Sequence, residues 1–358
     1  MPDSRLIADA AELIAIRSTA DRPGELHRAL EFVLDRLGTG VTVERFVSHG
    51  KPSALAYAGS TRPPFRVLFN AHLDVVPAPP KQFTARRDGD RLYGRGAQDM
   101  KVAALVLAEV FRRHAPELPY PLGLQLVTDE EVGGFDGTGH QIERGVTAGL
   151  VVIGEQSGLR VVTESKGLAQ VRLLARGVAA HAAYPWLGEN ALLTLLAAID
   201  AVLAAHPVPV AERWVTTVNV ARIETANTAV NQVPAGATGY LDIRFPPGDT
   251  AFAGRTAEQV AAYLRELAGG RVEVAVDALA PPHRADPDRR EVRLLRRGGE
   301  LLRKHGSADG RFYSARGIDA VIFGPGGAGQ HGPDEYADLA TARAYAEVLI
   351  CWLLQLDR

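Results

Sequence analysis

The chain is poor in thiols and has no strong excess of charge, and each absence excludes a class of protein. Its 358 residues include one cysteine, Cys351, so neither an intramolecular disulfide nor a thiolate metal site can form. Because Cys351 lies in an apolar run, we expect its thiol to pack within a helix. The 40 basic and 42 acidic residues give a net charge of −2, without the basic block that nucleic acids or anionic membranes attract.

Long apolar runs are also missing. No stretch of about 18 apolar residues occurs, and the N-terminus lacks the basic and then apolar pattern of an export signal. We therefore expect a soluble, cytoplasmic protein that has neither a nucleic acid nor a membrane as its partner. Hydrophobic residues make up 46% of the chain and charged residues 23%, as is typical of a globular protein with an apolar core. At about 150 residues per domain, the length predicts one very large domain or two ordinary ones.

Two stretches, residues 1–165 and 282–358, share one pattern, in which short apolar strands alternate with segments of helical periodicity. Strands without polar alternation indicate a mostly parallel sheet that is buried on both faces. Helices are predicted over residues 4–18, 25–37, 100–114, 289–304 and 338–357, and strands over 41–46, 54–57, 66–70, 123–128, 150–153 and 320–323.

Residues 166–281 follow a different pattern. Their strands alternate between apolar and polar residues, and the predicted order of elements is β-α-β-β-α-β. This order is typical of a small antiparallel sheet with two helices on one face, the ferredoxin-like arrangement. We therefore predict an α/β fold, in which a discontinuous domain with a mostly parallel sheet (1–165 and 282–358) is interrupted by a smaller α+β domain (166–281).

Polar side chains cluster where the predicted strands of the larger domain end. His72 and Asp74 follow one strand, and their two-residue spacing projects both side chains from the same face. A metal can be bound by one of them while the other orients it from behind. A glycine turn places Asp99 directly before the helix predicted from Met100, where an N-cap role would also account for an aspartate.

Three further strand ends carry acids or a histidine. Asp129, Glu130 and Glu131 are consecutive, and three carboxylates at the end of an apolar strand are costly unless a cation offsets them. Glu155 ends another strand, and His331 follows the last one. Because ligands of open α/β sheets bind at the carboxyl ends of the strands, these loops together predict a metal site. Two histidines and several carboxylates suit Zn²⁺, or Co²⁺ or Mn²⁺ in its place, better than Ca²⁺.

Two other motifs are weaker. Gly324-Pro-Gly326-Gly-Ala-Gly329 has the glycine spacing of a dinucleotide site, but Gln-His-Gly-Pro follows it where such a site requires a helix. A turn that presents His331 is the better interpretation. The segment Gly154 to Gly158 is one residue away from the nucleophile motif of serine hydrolases, which disfavours that class.

The motifs together resemble the dizinc metallohydrolase family that includes acetylornithine deacetylase, succinyl-diaminopimelate desuccinylase, aminoacylase and glutamate carboxypeptidase. The resemblance extends in order over essentially the whole chain. It implies two Zn²⁺ ions that share and activate a water molecule, one ion on His72, Asp99 and Glu155 and the other on Asp99, Glu131 and His331. It also implies that Asp74 orients His72 and that Glu130 is the general base.

The same resemblance makes residues 1–165 and 282–358 the catalytic domain and residues 166–281 a lid and dimerisation domain, so a homodimer is expected. His181 would stabilise the oxyanion in the active site of the partner subunit, and Tyr184 of the same lid motif would contribute to substrate binding. Asn231 and Arg244 would hold the backbone carboxylate of the substrate, and Arg311 is a further candidate for this role.

We therefore expect an amide hydrolase that removes the acyl group of an N-acyl amino acid, as acetylornithine deacetylase does. A dipeptidase or exopeptidase of the same family is the alternative, since a free α-carboxylate fits either. A non-catalytic relative that binds a metal or small molecule is disfavoured because the base and every metal ligand are present. One departure from the family makes succinyl-diaminopimelate a less favoured substrate. The segment Glu164-Ser-Lys166-Gly167 stands where the desuccinylases have a sequence similar to Arg-Arg-Gly-Ser, although Lys166 offers one positive charge.

Overall fold

The computed structural model describes residues 3–357, which separate into two compact units. The first comprises residues 3–163, 284–303 and 308–357, and the second comprises residues 164–283 and 304–307. None of the helices in residues 3–357 has both the length and the apolar character that crossing a membrane requires.

Helices and strands are numbered in chain order. The helices are α1 (Asp3–Ala15), α2 (Pro23–Leu34), α3 (Val102–His114), α4 (His140–Glu143), α5 (Ala191–Ala205), α6 (Ala257–Leu267), α7 (Arg290–Arg296), α8 (Gly310–Ser314) and α9 (Leu339–Gln355). The strands are β1 (Val41–Ser48), β2 (Lys51–Ala58), β3 (Phe65–His72), β4 (Arg86–Asp88), β5 (Arg91–Tyr93), β6 (Leu122–Val127), β7 (Ala148–Ile153), β8 (Val161–Ser165), β9 (Gly167–Arg176), β10 (Thr217–Glu224), β11 (Gly236–Phe245), β12 (Glu273–Ala280), β13 (His283–Arg284), β14 (Leu301–Lys304), β15 (Asp319–Ile322), β16 (Gly327–Ala328) and β17 (Tyr336–Asp338).

The large sheet has the strand order β1-β2-β6-β3-β7-β15-β8-β13. Its centre, β6-β3-β7-β15, is parallel throughout, while β1 and β2 extend it in antiparallel fashion. Neighbouring residues of the central strands contribute to two different apolar clusters. Val152 of β7, for example, packs with α3 and α9, and Val151 belongs to the cluster that contains Tyr313. The central strands are therefore buried on both faces, which is why they lack polar alternation.

The second unit contains a four-stranded antiparallel sheet in the order β10-β11-β9-β12. Buried residues alternate with more exposed ones along β9, and the inward face packs with α5 and α6 around one apolar cluster. The β-α-β-β-α-β succession and the strand order are those of a ferredoxin-like fold. The predicted fold class, a mostly parallel sheet accompanied by a smaller antiparallel one, is confirmed.

Two local predictions are wrong. The helix expected over residues 289–304 ends at Arg296, and strand β14 occupies its second half. Arg297 and Gly298 have φ values of 51° and 81°, so the backbone turns left-handed and the helix stops there. Cys351 does lie in helix α9, but its side chain is exposed and not packed, because the buried stripe of this helix passes through Leu349 and Trp352 instead.

Helix α6 of the second unit begins with a capping box that offers a test of the fold. The Thr256 hydroxyl accepts the backbone N–H of Gln259, whose side chain accepts the backbone N–H of Thr256. We expect Thr256→Ala to destabilise the protein by about 1 kcal/mol, because one N–H of the first helical turn loses its acceptor. The measurement is the denaturant midpoint of unfolding. Thr256→Ser, which keeps the hydroxyl, is the matched control, and equal midpoints for both variants would contradict the assigned cap.

Candidate metal centre

The candidate ligands follow the carboxyl ends of parallel strands. His72 is the last residue of β3, Glu130 and Glu131 follow β6, and Glu155 follows β7. His331 lies between the short strands β16 and β17, which follow β15. Because these four strands are adjacent and parallel, their carboxyl ends meet at one edge of the sheet, and loops that are distant in sequence converge there.

Asp99 reaches the same place from outside the sheet, between β5 and α3. Its φ and ψ of −122° and 91° are not helical, and α3 begins only at Val102. The N-cap role is therefore wrong, and the helix starts two residues later than expected. The backbone N–H groups of Gln98 and Asp99 donate instead to the buried Glu335 carboxylate, over 3.1 and 3.3 Å. These two backbone hydrogen bonds leave the Asp99 side chain free to face the ligand cluster.

The two carboxylate oxygens of Asp99 each face a different histidine. Oδ1 lies 2.9 Å from Nε2 of His72, and Oδ2 lies 3.2 Å from Nε2 of His331. Nε2 of His331 is also 3.1 Å from Oε1 of Glu131. Gln330 donates to Oδ2 of Asp99 over 2.5 Å. Asp99 therefore lies between two sets of ligand atoms and has one oxygen available to each.

Two groups of potential ligands result. One contains His72, Glu130 and Glu155, and the other contains Asp99, Glu131 and His331; within each group the ligand atoms lie within 4.8 Å of one another. The second group is the set expected for one of the two ions. In the first group Glu130 appears beside His72, so its carboxylate is close enough to act either as a ligand or as a base next to the ligands.

Asp74 contacts both His72 and the backbone of the loop that follows β6. Its carboxylate accepts the backbone N–H groups of Glu130 and Glu131 over 3.2 and 3.0 Å, and its Oδ1 lies 3.5 Å from Nδ1 of His72. The backbone carbonyl of Asp74 is also 3.1 Å from Nδ1 of His72. Contacts of this kind orient a metal-binding histidine so that Nε2 faces the ligand site.

The electrostatics of the cluster favour a cation. Burial, and next the neighbouring Glu155, raise the pKa of Glu130 well above its usual value. Burial also raises the pKa of Glu131 to about 7. Burial opposes the charged form of Asp99 too, but its hydrogen bonds with His331 and His72 outweigh this and lower its pKa.

Several carboxylates thus lie close together in a partly buried site, an arrangement that a divalent ion stabilises. The donor set of imidazole nitrogens and carboxylate oxygens suits Zn²⁺ and its first-row neighbours. The residues present therefore fit a metal, which would be held by His72, Asp99, Glu131, Glu155 and His331.

The predicted lid residues lie in the second unit. Nδ1 of the exposed His181 accepts the backbone N–H of Ala183 over 3.0 Å, and its ring lies 5.7 Å from that of Tyr184. A backbone bridge pairs His181 with Gln232, which places the adjacent Asn231 on the same pair of segments. Arg244 lies on β11 and forms two hydrogen bonds with Asp242, over 2.7 and 3.1 Å.

Arg311, the remaining predicted substrate residue, lies in the first unit on α8. It is buried, and its guanidinium donates to the backbone carbonyls of Gly133 and Ala308. It also lies 4.5 Å from the ring centroid of Phe312. These contacts make it a support of the loop that carries Glu130 and Glu131, and its role toward a substrate stays a prediction.

Several supporting residues were not predicted. Thr138 donates to the buried Asp309 over 2.5 Å, and burial raises the pKa of Asp309 to about 7. Gly134 has a φ of 66°, and a Cβ at this position would collide with Asp309. The pair of glycines after Glu131 was the available signal for this close approach. Asp309 itself had none, because it is remote in sequence from the other acids.

Known proteins are similar to this chain over most of its length. The profile described as peptidase family M20/M25/M40 matches residues 68–355. A probable carboxypeptidase of Aspergillus terreus is 32% identical over 303 residues, which are 76% of this chain and 66% of that protein. The chain thus spans about two thirds of that relative's length. A succinyl-diaminopimelate desuccinylase of Gluconobacter oxydans is 29% identical over 369 residues, covering 97% of this chain and 96% of the relative.

The fold is also found among solved structures. The aminopeptidase PepT of Bacillus cereus superposes with a TM-score of 0.78 at 20% identity, and the alignment covers 100% of both chains. The profile match covers well over half of the chain, so the resemblance identified from the motifs and the expected enzyme class, a metallohydrolase, are confirmed. The chain belongs to the peptidase family M20/M25/M40.

Proposed function

We propose that this member of the family is a two-zinc amide hydrolase that removes the acyl group from N-acyl amino acids. The observation that carries the proposal is the Asp99 carboxylate, whose two oxygens face His72 and His331 over 2.9 and 3.2 Å. A carboxylate in this position is suited to join two ions. Ions bound at this position supply Lewis-acid chemistry, since they polarise a carbonyl group and lower the pKa of a water molecule.

Glu130 is proposed as the general base. Its carboxylate lies in the cluster with His72 and Glu155, while its backbone N–H is fixed by Asp74. A carboxylate so placed takes a proton from the attacking water and passes it to the leaving amine.

His181 is proposed as the group that stabilises the oxyanion. Because Nδ1 accepts the N–H of Ala183, the proton of the neutral ring lies on Nε2, which is then a donor on the other side of the ring. A donor aimed at the developing negative charge contributes about 3 to 4 kcal/mol in comparable sites.

Arg244 and Asn231 are proposed to hold the α-carboxylate of the substrate. The two hydrogen bonds of Arg244 to Asp242 use Nε and Nη2. Nη1 is therefore available to a carboxylate, because a guanidinium carries five N–H donors in all. Lys166 is a weaker candidate for a second anion site, since its side chain is 1% exposed and its ammonium lies 5.7 Å from the Trp214 ring centroid.

We further propose that residues 166–281 act as a lid and join two copies of the chain into a homodimer. Large apolar side chains on this unit are exposed, among them Trp186, Leu187 and Leu193. Strand β10 lies at an edge of its sheet, so its outer backbone groups offer a second means of association.

A peptidase acting on dipeptides or on the end of a peptide is the second candidate. The relative from Aspergillus terreus is named a probable carboxypeptidase, and a free α-carboxylate would meet Arg244 in either reaction. Release of amine from N-acetyl, N-succinyl and N-formyl amino acids, measured beside simple dipeptides with zinc- or cobalt-loaded and chelated protein, separates the two. Chelator-sensitive release from acyl amino acids is expected, and release from dipeptides alone would favour the peptidase.

Glu130→Ala is predicted to lower turnover by about 10²- to 10⁴-fold, because the water loses its proton acceptor. We expect its metal content, measured by atomic emission, to stay at two ions per chain. Glu117→Ala, which alters an exposed acid of the first unit, is the control. Loss of an ion from Glu130→Ala would make Glu130 a ligand, and normal turnover would rule out the base.

Asp99→Ala is predicted to lose both activity and metal, because the removed carboxylate faces both histidines. The measurement is metal stoichiometry after dialysis, with turnover recorded on the same sample. Asp88→Ala, on the exposed strand β4, is the control. Full metal loading of Asp99→Ala would contradict the assignment of a shared ligand.

A mixture of Glu130→Ala and His181→Ala subunits is predicted to regain activity, although each variant alone is inactive. In a heterodimer, one active site combines an intact Glu130 with an intact His181 of the other chain. Activity after exchange is measured together with the fraction of heterodimer. The absence of recovery at a verified heterodimer fraction would place His181 in its own subunit's site or outside catalysis.

A further inference from the structure

A cavity of about 420 Å³ lies in the first unit and extends from the candidate metal centre. Glu131 lines it, and Glu131 also belongs to the ligand group with Asp99 and His331. Another wall is formed by Val75, Val76 and other residues of the segment that directly follows Asp74. The cavity is therefore adjacent to Glu131 and to the segment after Asp74. Its volume is that of an ordinary small-molecule pocket.

The walls of this cavity are fixed in place. The turn between α1 and α2 forms one side, and in it the fully buried Ser18 donates its hydroxyl to the Leu73 carbonyl over 2.6 Å. The Ser18 carbonyl accepts the backbone N–H of Val75 over 3.0 Å. The buried Lys101 ammonium donates to the carbonyl of Ile16 over 2.8 Å. Two segments that are far apart in sequence are thus joined by buried hydrogen bonds, so the pocket exists before a substrate arrives.

The inner surface of the cavity is apolar. Val75 and Phe83 are almost fully buried beneath it, and Val76, Pro77 and Val132 complete the apolar lining. Burial of hydrocarbon against such a surface is favourable in proportion to the area removed from water. An acetyl group is too small to cover these side chains, whereas a longer chain covers them.

Besides Glu131, the charged residues that line the cavity are Arg17, Asp21 and Arg22. Asp21 and Arg22 are exposed, and Thr19 donates its hydroxyl to Asp21 over 2.5 Å. The Arg17 guanidinium lies 5.5 Å from the Phe83 ring centroid. The lining charges are of both signs, and Glu131 adds a carboxylate beside the apolar side chains, so the lining favours a hydrocarbon group over an anionic one.

We propose that this cavity binds the acyl group of the substrate and selects hydrocarbon acyl chains longer than acetyl. The inference rests on the proposed function for the reaction itself, and it adds the class of acyl group. Val75 and Val76 are then specificity-determining residues, while the α-carboxylate of the substrate is held elsewhere.

The test compares N-acetyl, N-butanoyl, N-hexanoyl and N-succinyl derivatives of one amino acid with the metal-loaded enzyme. We expect kcat/KM to rise about fourfold for each added methylene up to hexanoyl. N-succinyl should be poorer than N-butanoyl, which has the same number of carbons. Preference for N-acetyl would overturn the proposal. Preference for N-succinyl would also overturn it, because the cavity would then select a carboxylate, for which Arg17 is placed.

Variants connect the preference to the cavity. Val76→Trp fills the pocket, so the ratio of hexanoyl to acetyl activity should fall by about 100-fold. Val76→Thr keeps the size and adds a hydroxyl, so the same ratio should fall several-fold without a change of volume. Val47→Trp alters an exposed position on β1 and should leave the ratio unchanged. An unchanged ratio in both Val76 variants would remove the cavity from substrate selection.

Binding gives a readout that does not require turnover. Hexanoate and acetate each carry one carboxylate and differ only in their hydrocarbon chains. The ratio of their dissociation constants, measured by calorimetry, therefore reports the contribution of the hydrocarbon chain to binding. Tighter hexanoate binding that is lost in Val76→Trp supports the cavity even if no acyl amino acid is hydrolysed, in which case the proposed function alone fails. Equal binding of the two acids would overturn the cavity proposal even in an active enzyme.

Discussion

The ion pair between Arg95 and Glu335 holds together the two loops on which the metal centre depends. Nη1 of Arg95 lies 2.6 Å from Oε2 of Glu335, and both side chains are buried. Oε1 of Glu335 accepts the backbone N–H groups that lead into Asp99, while Nη2 of Arg95 donates to the His331 carbonyl over 2.9 Å. A buried pair of charges is tolerated when further hydrogen bonds satisfy it, as they do in this pair. The same contacts set the distance between the Asp99 carboxylate and His331.

The rest of the site follows from a conflict between burial and charge. Asp74 is held close to the ligand cluster because backbone N–H groups satisfy its carboxylate. Glu130 and Glu131 lack such compensation, and burial raises the pKa of both. A protein that keeps acids in this arrangement does so at a cost in folding stability, which a bound cation offsets. This cost in folding stability therefore indicates that the buried acids serve a function and not the stability of the fold.

Much of this site was predictable from the sequence because parallel strands bring their carboxyl ends together. His72, Glu131, Glu155 and His331 each follow an apolar run, and this placement predicted one site without knowledge of the sheet order. The resemblance to a family then supplied roles that spacing alone does not determine. The alternation of apolar and polar residues in the second unit was equally informative, because its strands have one buried and one exposed face.

Tertiary contacts determined what the sequence did not reveal. From the sequence, Asp99 resembled a helix cap. The backbone of Asp99 leaves the helical conformation because it donates to Glu335, which is more than 200 residues away in the sequence. The helix predicted after residue 296 failed because two left-handed residues and a strand partner outweighed its helical propensity. Asp309 approaches the site through Thr138, and neither residue has a local pattern that indicates this contact.

The segment after β3 links the candidate metal centre to the apolar cavity. β3 ends with His72, Asp74 then fixes the loop after β6, and Val75 begins the wall of the apolar cavity. The opposite wall belongs to the turn that Ser18 and Lys101 anchor from outside the metal centre. Val76 lines the cavity and belongs to neither group of potential ligands. In a fold organised in this way, the proposed preference for an acyl group could change without rebuilding the candidate metal centre.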